Sequence, residues 1–201
     1  MIKAIIFDLG GVLIDWNPKY LYSQIFKEEA EMNQFLETIC TGDWNEEQDG
    51  GRTLQEGTEF LVAKYPQHEE NIRAYYGRWV EMLKGPIEGT VDIFKQLKDS
   101  GKYKLYALTN WSAETFPIAR EKFDFLNWFD GVVVSGTEKM RKPDPKFFQI
   151  LLDRYNLKAD EVVFIDDNLR NVIAAREMGV ESIHFISPDE LENKLSDIGV
   201  S

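Results

Sequence analysis

Four short stretches of this chain carry residues whose types and spacing can do chemistry together. Ile2, Ala4, Ile5, Ile6 and Phe7 form an apolar run that stops at Asp8-Leu9-Gly10-Gly11. Leu105, Ala107 and Leu108 lead into Thr109-Asn110, and Val162–Ile165 leads into Asp166-Asp167. Between these two lies Arg141-Lys142-Pro143-Asp144-Pro145, a proline-stiffened loop that presents a lysine. Short runs rich in β-branched residues have the pattern of strands buried on both faces of a parallel sheet. The carboxyl ends of such strands share one edge, and ligands bind there. Carboxylates from two strands can hold a hard cation such as Mg²⁺, which prefers oxygen ligands and keeps several waters. Lys142 and Thr109 can hold phosphate oxygens, and Asp8 can attack phosphorus to form an aspartyl-phosphate. The cation and the lysine would offset charge on the transferring group. Gly10-Gly11 lets the backbone turn sharply and come close to whatever Asp8 touches.

Taken one at a time, these residues have plainer roles. An Asp-Asp pair before a helix ordinarily caps it, favoured by the helix dipole. Thr-Asn after a strand is ordinarily a turn, and a lysine in such a loop is ordinarily solvated. Their joint occurrence, in this order at successive strand ends, is what favours a site.

The elements that must position them follow from the pattern around them. Thr90–Lys98, Ala113–Phe123, Pro145–Tyr155 and Leu169–Met178 read as helices. They alternate with strands at Lys104–Thr109, Val132–Val134, Val162–Ile165 and Ser182–Phe185, and Ser187-Pro188 opens a last helix. Alternation of this kind predicts right-handed crossovers and a doubly wound α/β sheet with helices on both faces. From Pro18 to Lys84 the apolar residues instead recur at helical spacing with no strand signal, and a helix is expected from about Glu69 to Leu83. Thr53-Leu-Gln-Glu56 has the form of a capping box. The expected organisation is an α/β core of residues 1–15 and 87–201 with a small all-helical domain, 16–86, inserted after the first strand.

The 35 acidic residues outnumber the 23 basic ones, for a net charge of −12. That argues against non-specific binding to nucleic acid or to anionic membranes, and it requires that an anionic substrate be attracted locally. A single cysteine, Cys40, fits a reducing compartment. No apolar run approaches membrane-spanning length, and the N-terminus has no basic region followed by an apolar segment. The expectation is a cytoplasmic protein.

With these residues in hand, the chain resembles the haloacid dehalogenase-like hydrolases along its whole length. The pattern of that superfamily is a strand ending in a nucleophilic Asp, a strand ending in Ser or Thr, a Lys, and a strand ending in an acidic pair. Here these are Asp8, Thr109, Lys142 and Asp166-Asp167. Phe-Asp-Leu-Gly-Gly-Val, Thr-Asn, Arg-Lys-Pro and Ile-Asp-Asp-Asn are closest to a branch that holds bacterial sugar-phosphate phosphatases, and the phosphatase domain of soluble epoxide hydrolase is similar. The insert 16–86 resembles the small helical cap of that branch. The resemblance implies a Mg²⁺-dependent phosphatase acting on a small phosphorylated metabolite. Asp8 is the implied nucleophile, steadied by Lys142. Thr109, Asn110 and Gly11 would position phosphate. Asp8, the Gly10 carbonyl, Asp166 and Asp167 would serve the metal, with Asp167 the foremost of the acidic pair. Thr41-Gly-Asp-Trp-Asn lies where such caps place a substrate-facing loop, so Trp44 is an expected substrate contact.

One departure stands out. Most phosphatases of the superfamily carry a second Asp two residues after the nucleophile, as general acid and base, and here that position is Gly10. Haloacid dehalogenases also lack it and use no metal, but they carry small hydroxyl residues where this chain has Asp166-Asp167. The alternatives are therefore a metal-independent 2-haloacid dehalogenase, or a weakly active or non-catalytic phosphate-binding protein.

Overall fold

The computed structural model describes residues 1–200. The chain opens with β1 (Ala4–Phe7), reverses over Leu9–Leu13, and continues through β2 (Ile14–Trp16). Five helices follow: α1 (Lys19–Tyr22), α2 (Glu29–Thr38), α3 (Gly42–Asp49), α4 (Leu54–Lys64) and α5 (Glu69–Gly77). The chain returns through β3 (Leu83–Pro86), which pairs antiparallel with β2. From there helices and strands alternate, beginning with α6 (Glu88–Ser100), β4 (Lys104–Thr109), α7 (Phe116–Lys122), β5 (Gly131–Val134) and the short α8 (Ser135–Glu138). Then come α9 (Pro145–Arg154), β6 (Val162–Asp166), α10 (Leu169–Glu177), β7 (Glu181–His184) and α11 (Pro188–Asp197).

The main sheet has five parallel strands in the order β5-β4-β1-β6-β7. β1 lies at its centre, with Phe7 level with Ala107 of β4 and Ile165 of β6. Every residue of β1 is buried, and successive residues face opposite sides, as the two-residue period of a strand requires. Ile5 and Phe7 pack into one core with Phe94 and Leu97 of α6, Ala119 of α7 and Leu191 and Leu195 of α11. Ala4 and Ile6 pack into a second core with Phe147, Phe148 and Leu151 of α9 and Ala174 and Ala175 of α10. Helices thus cover both faces, and the architecture is the expected doubly wound α/β sheet. No helix among the described residues is long and apolar enough to cross a membrane.

The elements of the main sheet lie close to their expected positions. Pro145 sits in the first turn of α9, where Asp144 accepts from the Lys146 N–H. The capping box of α4 is formed reciprocally by Thr53 and Glu56. Three local expectations need correction. The helix expected to run to Leu83 ends at Gly77, and a 3₁₀ turn (Trp79–Met82) leads into β3. A two-stranded ribbon between distant segments leaves no periodic signal in four residues. The helix expected from Ala113 begins at Phe116, with Pro117 in its first turn. Finally, Thr41-Gly-Asp-Trp-Asn, expected as a substrate-facing loop, is the capped start of a helix. Thr41 accepts from the Trp44 N–H and caps α3.

Candidate active site

The strand register carries the site. Asp8 lies one residue beyond β1, beside Asp166 at the end of β6, while Thr109 closes β4. The apolar strands beneath cannot shift without turning every inward side chain outward, so these residues are held at one edge. Oxygens of Asp8, Asp166 and Asp167 lie within 4.8 Å of one another.

Lys142 reaches this edge from the loop before α9. Its Nζ lies 2.9 Å from Asp8 Oδ1, 2.7 Å from Asp166 Oδ2 and 2.8 Å from the carbonyl oxygen of Leu108, and the side chain is fully buried. An ammonium has three hydrogens, and all three are used. The loop is fixed from Asn110, whose Oδ1 accepts from the Lys142 N–H at 2.8 Å and whose Nδ2 donates to the Lys142 carbonyl at 2.9 Å. Asn110 was expected to help position phosphate; its side chain grips the main chain that presents the lysine, and the residue also lines the cleft beside this edge.

Asp8 Oδ1 also accepts from the Leu9 N–H at 2.8 Å. Burial drives the Asp8 carboxyl up to about 8, with Asp166 and Asp167 pushing the same way and Lys142 pulling against them. Burial and Asp166 likewise raise Asp167. Although burial opposes it, Asp166 and Asp8 hold the Lys142 ammonium above its usual value.

Asp166 is saturated by protein donors. Oδ1 accepts from the Asn168 N–H and from Asn171 Nδ2, and Oδ2 accepts from Lys142 and again from Asn171 Nδ2. Asn168, not the acidic pair, caps α10 by accepting from the Arg170 N–H. Asp167 is therefore exempt from capping, and its main-chain carbonyl is held at 2.9 Å by His184 Nε2. The carbonyl can only accept, so that nitrogen carries the proton.

A divalent cation suits this donor set. Three carboxylates face one ammonium, leaving formal negative charge that only proton uptake or a cation can offset. The Asp167 carboxylate lies against Gly11, where a built Cβ would sit 2.3 Å from Asp167 Oδ2. Gly11 also has φ +75, so both its conformation and its missing side chain are required here. Gly10 differs, since a Cβ there would meet nothing within 4 Å. The Thr109 hydroxyl is buried at the same edge and finds no partner among the described residues.

Beside this edge opens a small cleft. Gly10, Asn110, Trp111, Ser112 and Thr115 line it from the sheet side, with Trp16 beside them. Asn45 and Asp49 of α3, with Tyr76 and Trp79, line it from the helical segment. Trp44 does not. Its ring is buried against Tyr75 and Tyr76, and its Nε1 donates to the Gly57 carbonyl at 3.0 Å. On α3 the buried residues are Trp44 and Gln48, while Asn45 and Asp49, one step further round, face the cleft. The expectation for Trp44 took the right segment and the wrong face. The facing pair was legible only once the segment was read as a helix, as the Thr41 cap would have allowed.

Three comparisons with known proteins bear on this site. The chain is 30% identical over 98% of its length to the drimenol cyclase of Aspergillus calidoustus, of which it spans only 37%. It is 31% identical over 91% of its length to a sesquiterpene phosphatase of Aspergillus oryzae, covering 89% of that protein. Its fold superposes with a TM-score of 0.71 on a HAD-family enzyme of Bacteroides thetaiotaomicron, a mutant crystallised with magnesium and inorganic phosphate. That match covers 93% of this chain and 95% of that one, at 21% identity, which speaks for the fold alone. Residues 2–179 match the haloacid dehalogenase-like hydrolases, and with the relative at 31% identity this places the chain in that hydrolase family.

Proposed function

We propose that the protein is a Mg²⁺-dependent phosphatase that hydrolyses a small phosphomonoester through an aspartyl-phosphate on Asp8. The observation that carries this reading is the convergence of Asp8, Asp166 and Asp167 within 4.8 Å, bridged by the buried Lys142. Asp8 Oδ1 is held by Leu9 and Lys142, so Oδ2 is the oxygen left to attack phosphorus. Lys142 orients that carboxylate and faces the charge that builds on the transferring group. Thr109 gives its unpartnered hydroxyl to a phosphate oxygen. The Gly11 main chain, bare of a Cβ, makes room for the Asp167 carboxylate beside it.

Asp8, Asp167 and the Gly10 carbonyl would hold Mg²⁺, with Asp166 aligned as support by Lys142, Asn168 and Asn171. When bound, the ion draws charge from the phosphoryl oxygens. Residues 16–86 are read as a cap that closes over the sheet edge and keeps bulk water out. The cleft mixes Asn45, Ser112 and Thr115 with the rings of Trp16, Trp79 and Trp111, which suits a compact polar alcohol such as a sugar. The sesquiterpene phosphatase among the relatives supports phosphate-ester chemistry while naming a different alcohol. A buried, unpaired Cys40 accords with a cytoplasmic setting.

Gly10, in place of a second carboxylate, favours the dehalogenase as the second reading. The test separates the two. Purified protein should release phosphate from small phosphomonoesters with Mg²⁺ and stop with EDTA, and Asp8→Asn should abolish turnover without unfolding the chain. Chloride release from 2-chloropropionate that persists in EDTA would overturn the phosphatase.

A further inference from the structure

Resting on the phosphatase reading, we infer that Asp49 of α3 is the proton donor to the leaving alcohol, supplied from the helical segment in place of the carboxylate missing at Gly10. Gly10 and Asp49 line the same cleft, from the sheet edge and from α3. In-line attack by Asp8 would place the leaving oxygen on the far side of phosphorus, in this reading within the cleft beside Gly10. Gly10 has no side chain to offer there, and among the cleft residues Asp49 is the only carboxylate.

Asp49 is fixed rather than loose. Its Oδ2 accepts from Asn45 Nδ2 at 3.0 Å, and its main-chain carbonyl accepts from Ser135 Oγ at the start of α8. α3 is tied to the core beside it. Glu46 pairs with Arg170 at 2.6 Å and lies 3.6 Å from Arg141, and Glu47 lies 3.1 Å from Arg141. These ties hold the acid in place only when α3 sits against the core, so closure over a substrate and delivery of the proton are one event.

The charge environment suits the task. Burial drives the Asp49 carboxyl up to about 7; the Ser112 N–H opposes this, Glu46 adds to it and Arg141 opposes it. Tyr75 and Tyr76, packed from α5, are the other titratable groups near it, and both stay protonated well above this range. A general acid works best with a value near the working pH. In the first step Asp8 Oδ2 bonds to phosphorus, the P–O bond to the alcohol breaks, and the Asp49 proton passes to the departing oxygen. The products are free alcohol, aspartyl-phosphate and ionised Asp49. In the second step ionised Asp49 takes a proton from water as its oxygen attacks phosphorus. That step releases hydrogen phosphate and restores both carboxyl groups.

The test compares kcat/KM for an alkyl phosphate and for p-nitrophenyl phosphate in the parent, Asp49→Asn and Asp49→Glu. This ratio ends at release of the alcohol, so slow breakdown of the aspartyl-phosphate cannot mask the effect. Asp49→Asn should lose about 100-fold or more on the alkyl ester. It should lose several-fold at most on the aryl ester, whose leaving group departs without a proton. In the parent, the alkyl rate should fall above about pH 7; the Asn variant should lack that fall and the Glu variant should recover part of the rate. Equal losses on both esters, or an unchanged alkyl pH profile, would overturn the role of Asp49 while leaving the phosphatase standing. A parent inactive on both esters with Mg²⁺ would overturn the phosphatase, and this inference with it.

Discussion

Magnesium should stabilise the folded chain, and more strongly at pH 8 than at pH 6. Without the ion, folded Asp8 keeps its proton up to about pH 8, because it is buried beside two other carboxylates. In the unfolded chain the same group loses its proton near pH 4. Between those values the folded state binds the extra proton, so rising pH favours unfolding. The slope is about 1.4 kcal/mol per pH unit for each such proton, and it vanishes once pH passes the folded value. Asp167 is shifted in the same direction and adds to the trend. A cation among the carboxylates takes the place of that proton, so its affinity rises over the same window. At a concentration 100 times its dissociation constant it adds about 2.7 kcal/mol. For a chain of this size that is a rise in Tm of about 5–11 °C. The assay is calorimetric or fluorescence-monitored melting at pH 6, 7 and 8, in EDTA and in millimolar Mg²⁺. Tm in EDTA should fall across the series, Mg²⁺ should restore it most at pH 8, and Asp167→Asn should lose most of the restoration. An equal shift at all three values, or a full shift in Asp167→Asn, would refute the reasoning.

Two substitutions test residues whose surroundings the fold has clarified. Gly10→Asp starts from an open position, since a Cβ there has nothing within 4 Å. It should raise kcat/KM on alkyl phosphates more than on aryl phosphates and should partly rescue Asp49→Asn; no gain on alkyl esters would mean that protonation of the leaving group does not limit the reaction. Trp44→Ala removes a buried indole packed on Tyr75 and Tyr76. It should cost about 3–5 kcal/mol, or roughly 6–20 °C in Tm, with preference among phosphate esters unchanged. A changed preference at an unchanged Tm would return Trp44 to the substrate site.

The candidate site was legible where it depends on strand ends. Asp8, Thr109 and Asp166 each follow an apolar run, and a parallel sheet brings such ends to one edge whatever the helices do. Lys142 was legible from its proline-bounded loop, and its place beside Asp8 was implied by the resemblance, but its other two partners were not, because nothing local says that Leu108 and Asp166 will flank it. Asn110 and Trp44 show the limit from the other side. Both are near the site in sequence, yet Asn110 grips the Lys142 backbone and Trp44 turns inward.

By itself, then, the amino-acid order determined the alternation of strands and helices, the two-sided burial of β1, the capped start of α4 and the set of acidic residues at the sheet edge. These rest on periods of two and of 3.6 residues and on capping chemistry, all of which act over a few neighbouring positions. Only the tertiary structure decided which side of α3 meets the core, and so which residues share the cleft with Gly10. Asn45 and Asp49 of α3, Tyr76, Trp79 and Trp111 meet because α3 and the turn after α5 dock against the segments after β5 and β4. The pairing of β2 with β3 was decided in the same way, by contact between segments far apart in the chain. Side chains one position apart on a helix point about 100° apart. The rotation at which α3 docks therefore decides which of two neighbouring residues packs and which faces the cleft.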